Sequence, residues 1–190
     1  VTEIGDGAFM YCSKLTTIVI QRQVKSIGVS AFNGCSELTT IVIPKSVNTI
    51  GESAFKGCSE LENITIEGSV TQIPNFSFAD CKVLQTITIP ISVKNIGFGA
   101  FSECSELTKI IIPDSVTIGS FAFMGCSSLN TIDININNEL KSSEIAIDAF
   151  NNVNQVITIN IIIPISTTEL SEVDEILKLS YELTETQKKQ

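Results

Sequence analysis

The chain of 190 residues contains no histidine and no tryptophan, and only two methionines and two tyrosines. Without histidine the commonest general base is gone, and with it the Ser–His and Cys–His nucleophile pairs. Paired carboxylates do occur, Glu60 with Glu62 and Asp174 with Glu175. On a chain of net charge −9 they read as solvated surface rather than as a tuned acid–base pair. Basic residues number 12 against 21 acidic ones, and the pI near 4.5 argues against the basic footprint that nucleic acid requires. No apolar run approaches the length of a membrane-spanning helix. Cysteines never fall in the C-x-x-C pairs that commonly begin a zinc site, and the glycines are scattered singly rather than gathered into a phosphate loop. A column of Glu37, Glu60 and Glu106 is interrupted by Val83 and lacks an acidic loop motif, so calcium is not expected. The expectation is a non-enzymatic chain with no cofactor and no metal.

What the chain has in abundance is self-similarity. Six cysteines stand at 12, 35, 58, 81, 104 and 126, with four gaps of 23 residues and one of 22. Phe9, Phe32, Phe55, Phe78, Phe101 and Phe123 keep the same period, as do Leu15, Leu38, Leu61, Leu84, Leu107 and Leu129. A fixed period of this length is the mark of a solenoid, in which each unit stacks only on its neighbours. One unit reads V-x-x-I-G-x-x-A-F-x-x-C-S-x-L-x-x-I-x-I-P, and residues 47–66 are a good copy. The L-x-x-I-x-I run ends in a period-2, β-branched segment, which is strand chemistry with Ile at the inward positions. Pro44, Pro90 and Pro113 follow such segments, where a residue without an N–H ends a ladder. Gly5, Gly28, Gly51, Gly97 and Gly119 mark a turn that needs a residue free of Cβ. The A-F-x-x-C step predicts a single helical or 3₁₀ turn.

This pattern resembles the BspA-like subclass of leucine-rich repeats, carried here by Ile50-Gly51, Ala54-Phe55, Cys58, Leu61, Ile64 and Ile66. The resemblance covers residues 1–161. It implies a right-handed solenoid, mainly β, with a parallel sheet on its concave side, about seven coils and no catalytic residues. It also implies a cell-surface or secreted protein that acts in adhesion and partner binding.

Departures from the pattern set the domain limits. Pro74 replaces the turn glycine of the fourth unit and brings a second aromatic, Phe76. The stretch from Val116 to Ile118 is one residue short, and Phe123 to Phe150 spans 27. Val153 and Val156 then replace Cys and Leu, so the seventh copy is degenerate, as a terminal repeat is. Residues 162–190 form a C-terminal cap or tail. Within it, 166–183 carry Leu170, Val173, Ile176, Leu177 and Tyr181 at helical spacing, with Ser166 and Glu169 as a capping box. The chain starts at Val1 in mid-unit, which suggests a piece or mature form of a longer protein.

The even number of cysteines allows a disulfide framework, but parallel side chains on successive coils suit a bridge poorly. The favoured reading is a buried thiol ladder, each Cys serving as a small hydrophobe. On the strands, residues between the inward Ile positions face out. One outward column is Thr17, Thr40, Asn63, Thr86, Lys109, Thr131 and Thr158; the other is Val19, Val42, Thr65, Thr88, Ile111, Asp133 and Asn160.

A partner-binding face of Thr17, Val19, Thr40, Val42, Asn63, Thr65, Thr86, Thr88, Lys109 and Ile111 competes with strand propensity alone as the reason for these residues. The implied partner is a protein or a glycan, and the open edge of the first coil is free to self-associate. Six unpaired thiols suit a reducing compartment, which keeps a cytoplasmic scaffold built on the same solenoid open as the alternative. Asn63-Ile64-Thr65 and Asn75-Phe76-Ser77 are glycosylation sequons, relevant only in a eukaryotic secretory pathway.

Overall fold

A computed structural model describes residues 1–113, 116–135, 146, 148–153 and 157–162. The predicted C-terminal helix lies outside these residues. The Ile-x-Ile runs form β3 (Thr40–Ile43), β5 (Asn63–Ile66), β7 (Thr86–Thr88), β9 (Lys109–Pro113), β11 (Thr131–Asn135) and β12 (Thr158–Ile162), numbered in chain order. The V-x-x-I segments form a second, two-residue set: β1 (Glu3–Ile4), β2 (Ser26–Ile27), β4 (Thr49–Ile50), β6 (Gln72–Ile73), β8 (Asn95–Ile96) and β10 (Thr117–Ile118). Every pairing between named strands is parallel and links one unit to the next, as in Ile41↔Ile64 and Ile110↔Ile132. The 16–20 segment contributes only a bridge, Thr17↔Thr40. The solenoid expectation holds.

The A-F-x-x-C step is not helical. Alternate N–H groups close β-turns, as Ala31 does on Gly28, Asn33 on Ser30 and Cys35 on Phe32 at 3.1–3.3 Å. The N–H groups between them are donated to the next coil: Ser30 to Glu52, Phe32 to Ala54 and Gly34 to Lys56, at 2.8–2.9 Å. A helical turn would direct all of these donors along their own chain and leave the neighbouring carbonyls unpaired. The zigzag requires two left-handed residues per coil. One column holds Gly7, Ser30, Ser53, Phe76, Gly99 and Phe121, and the other Tyr11, Gly34, Gly57, Asp80, Glu103, Gly125 and Asn152, with φ of 54–75°.

The glycines after the Ile of the short strands serve a different need. A Cβ at Gly28 would lie 2.5 Å from the Asp6 carboxylate, and one at Gly97 would lie 2.6 Å from Asn75 Oδ1. At Gly51 it would run into the backbone of Gly28 and Val29. The absence of Cβ therefore serves close stacking of coils, not turn geometry.

Between the sheets runs a core in which like lies on like. Phe9, Phe32, Phe55, Phe78, Phe101, Phe123 and Phe150 form one column, with ring centroids 5.1–5.5 Å apart and planes within 12° of parallel. Leu38, Leu61, Leu84, Leu107 and Leu129 are all buried beside it, with the inward Ile residues of most strands.

One junction departs from this regularity. Among the described residues, no strand pairing joins β5 to β7 or β4 to β6, so each set of strands is split in two. Everywhere else the post-Ile residue donates to the preceding coil: Gly28 to Ile4, Gly51 to Ile27, Gly97 to Ile73 and Gly119 to Ile96, each at 2.8 Å. Pro74 has no N–H to donate to Ile50, and it brings a ring where its neighbours tolerate not even a Cβ. On the turn side the same junction stays closed, with Ser53 donating to Asn75, Phe55 to Ser77 and Gly57 to Ala79 at 2.8–2.9 Å. Ile64 and Ile66, on the open side, are only half-buried.

Two outcomes follow. Glu60 and Glu62 donate across their junction at 3.1 and 3.0 Å, whereas Val83 and Gln85, one coil later, have no such bond. Amide exchange at Val83 and Gln85 is expected to be faster by about tenfold or more, the scale of one lost hydrogen bond; equal protection would mean a closed ladder in solution. Phe55→Ala should destabilise by about 3–5 kcal/mol, measured by denaturant unfolding, because the ring is wholly buried and touches a ring on each side.

Candidate functional site

The strand face presents its predicted residues outward, with its hydrogen-bonded ladder interrupted between β5 and β7. Thr17, Val19, Thr40, Val42, Asn63 and Thr65 are all exposed and belong to the N-terminal half. Val19 is 80% and Val42 51% exposed. Thr86 and Thr88 are exposed beyond the split, while Lys109 and Ile111 are half-buried. Asn63 and Thr65 therefore border the open junction, not a continuous row of threonines.

Asp133, expected to face solvent, is buried at 4% exposure. Lys109 Nζ lies 2.6 Å from one carboxylate oxygen, and Asn160 Nδ2 donates to the other at 2.8 Å. Burial alone would raise the Asp133 pKa. The bonds from Lys109 and Asn160, with the lysine's charge, outweigh it and hold the group below its ordinary value. This cluster ties β9, β11 and β12 together and closes the C-terminal part of the face. Its signal in the sequence was a lysine and an aspartate on outward positions of adjacent strands, a diagonal pair that separate columns conceal.

The cysteines form the expected ladder. Cys35, Cys58, Cys81, Cys104 and Cys126 are buried, Cys12 is exposed and none is bridged. Each buried thiol donates to a phenylalanine carbonyl of the preceding coil at 3.1–3.4 Å, Cys35 to Phe9 and Cys58 to Phe32 among them. Burial raises the thiol pKa of Cys35, pushes that of Cys58 up to about 12, and lifts Cys81 and Cys104 well above the ordinary range. Among the described residues no group of three or more Cys, Asp or Glu side chains is placed to hold a metal ion.

On the turn edge the structure shows a feature the sequence only hinted at. Phe76, Phe98 and Phe121 sit on successive coils with centroids 5.2 and 5.4 Å apart, tilted 68° and 79° from one ring to the next. Phe98 is 42% exposed, and the two flanking rings are half-buried. Phe76 and Phe121 occupy the left-handed column at φ 54° and 57°, a conformation that costs about 1–2 kcal/mol for such a residue. Gly99 is needed beside them, since a Cβ there would lie 2.6 Å from the Phe76 ring. Lys56 Nζ rests over Phe76 at 5.2 Å from its centroid. The detectable signal was aromatics at the two positions after the Ile-Gly step, of which only Phe76 stood out.

The sequons are placed differently. Asn75 accepts from the Phe98 N–H at 2.9 Å and donates to Glu52 at 3.1 Å, and Ser77 is buried. Asn63 is exposed.

With this geometry, comparison with known proteins is unambiguous about kind. The chain belongs to the BspA type leucine-rich repeat family: six copies of the BspA type Leucine rich repeat region match across residues 2–130 and 50–174. No curated protein matches the chain in sequence. Its fold is similar to that of a leucine-rich repeat protein of T. pallidum, at 23% identity and a TM-score of 0.63, over 94% of this chain and 84% of that one. It is also similar to a leucine-rich repeat protein of Eubacterium ventriosum (23% identity, TM-score 0.68, 90% of this chain). A third solved structure, the pneumococcal vaccine antigen PcpA, aligns at 21% identity and a TM-score of 0.67 over 87% of this chain. The chain spans only 45% and 39% of the last two. Among the described residues no helix is long and apolar enough to cross a membrane.

A thiol reagent should modify Cys12 rapidly in the native protein and the other five only on unfolding; rapid labelling of all six would refute the buried ladder. The raised folded pKa values also fix a pH dependence. Their contribution is intact below the ordinary thiol value of 9.0 and declines above it, because the unfolded chain then ionises while the folded one does not. Thermal melts should accordingly show stability falling from about pH 9 upward, and less steeply in Cys58→Ala than in the parent.

Proposed function

We propose that the chain is a non-catalytic binding module of a cell-surface or secreted leucine-rich-repeat protein, taking a protein or glycan partner on the strand face centred on Thr17, Val19, Thr40 and Val42. The observation that carries this reading is the exposure of Val19 and Val42 on a regular, short-chained face. Apolar side chains left in water at the same position of adjacent coils offer a partner surface that strand propensity alone does not require. Residues 1–50 hold four basic and three acidic residues, so this half lacks the acidity of the rest and repels neither class of partner. Family membership supports display outside the cell, since the resemblance implies adhesion and partner binding.

A second reading rests on the thiols. Six unbridged cysteines fit a reducing compartment, and an intracellular scaffold would use the same face. Self-association is the rival explanation for any binding. Within this chain Phe9, Leu15 and Ile18 of the first coil are incompletely covered, and a second copy is able to stack there.

The test is a screen of the labelled chain against glycan and protein arrays, repeated with Val19→Lys plus Val42→Lys. The double variant should lose the strongest ligand while its stability stays within about 0.5 kcal/mol, as for other exposed positions. Retained binding would remove the face from consideration. Sedimentation of both proteins separates self-association, which the two lysines should leave unchanged.

A further inference from the structure

The aromatic row on the turn edge is separate from the strand face and calls for its own account. Other coils fill its left-handed column with Gly7, Ser30, Ser53 and Gly99, residues that adopt positive φ readily or expose little apolar surface. Phe76 and Phe121 are neither, and Phe98 between them remains substantially in water. Packing of ring on ring does not bury the row, so the strain is spent on a surface.

Charge indicates what that surface holds. Lys56 already lies over the Phe76 ring, showing that this ring attracts a cation. Asp80 and Glu103 stand four residues beyond Phe76 and Gly99 in the same turns, and Glu103 is exposed.

We infer that Phe76, Phe98 and Phe121 form a second docking site, for a partner segment bearing arginine or lysine, whose cations rest on the rings beside Phe76 as Lys56 does on Phe76 itself. The site is independent of the strand face and stands or falls without it.

The experiment is an NMR titration of the labelled chain at about 0.15 M salt, where exposed charges are screened beyond about 8 Å. The probes are a short peptide of alternating arginine and glycine and its citrulline counterpart, a neutral isostere. The arginine peptide should shift the Phe98 and Phe121 ring protons saturably, and the citrulline peptide should not. Phe98→Leu, which keeps apolar bulk but removes the ring, should weaken binding about two- to fivefold. Phe121→Gly, which also relieves the backbone, should do the same while remaining folded. Val42→Ser should have no effect on this titration. Equal binding of both peptides, equal affinity in Phe98→Leu, or ring shifts produced instead by a soluble β-linked glucan oligosaccharide would each overturn the assignment.

Discussion

Everything in this fold depends on one constraint: each residue must stack on its own counterpart one coil away. The coil advance, seen in the 5.1–5.5 Å spacing of the phenylalanine column, brings identical side chains into contact along the whole rod. Aromatic rings, thiols and branched aliphatics tolerate such self-contact. Charges do not, because two like charges 5 Å apart repel by roughly 3 kcal/mol even at an effective dielectric near 20. Buried columns are therefore uncharged. Opposite charges pair between coils at Lys14 with Glu37 and at Lys109 with Asp133, while the like charges of Glu37 and Glu60 stand on successive coils at the surface.

The same constraint explains why one substitution has wide consequences. A glycine column exists because the preceding coil occupies the space a Cβ would need, and Pro74 violates that column while also removing a donor. Because strands on both faces rely on the same coil-to-coil approach, both ladders open together between β4 and β6 and between β5 and β7. The turn edge does not open, since its donors come from Ser53, Phe55 and Gly57, and the Phe55–Phe78 stack is undisturbed at 5.4 Å. The fault is a seam, closed on one side.

The period made the stacking legible from residues alone: strand positions, the ring column and the thiol column all follow from identical spacing. Pro74 stood out as an exception, but a single sequence does not show which carbonyl loses its donor, and so the seam stayed hidden. The zigzag turns read as helical in the sequence for a related reason. Short local spacing looks the same whether N–H groups bond along the chain or across to the next coil, and only Phe32 donating to Ala54 decides it. Asp133 was placed outward correctly by alternation, yet Lys109 and Asn160 cover it from neighbouring strands. Period-2 reasoning gives direction, not burial.

The seam also organises the two candidate surfaces. Val19 and Val42 lie wholly before it, and Phe76, Phe98 and Phe121 wholly after it. Of the side-chain contacts that cross it on the closed side, which include the Phe55–Phe78 stack and the Cys81 thiol on the Phe55 carbonyl, two lie on the turn edge: Asn75 donating to Glu52 and Lys56 resting on Phe76. The second joins the N-terminal half to the first ring of the aromatic row through a cation. An incoming arginine or lysine on that ring would compete with Lys56 and release one of the contacts holding the halves together. Occupation of the Phe76 ring, as distinct from Phe98 and Phe121, would therefore be linked to loss of the Lys56 contact, and linkage is reciprocal. The row's outer rings, Phe98 and Phe121, lie clear of this competition, which is why the added affinity for a cation should reside there.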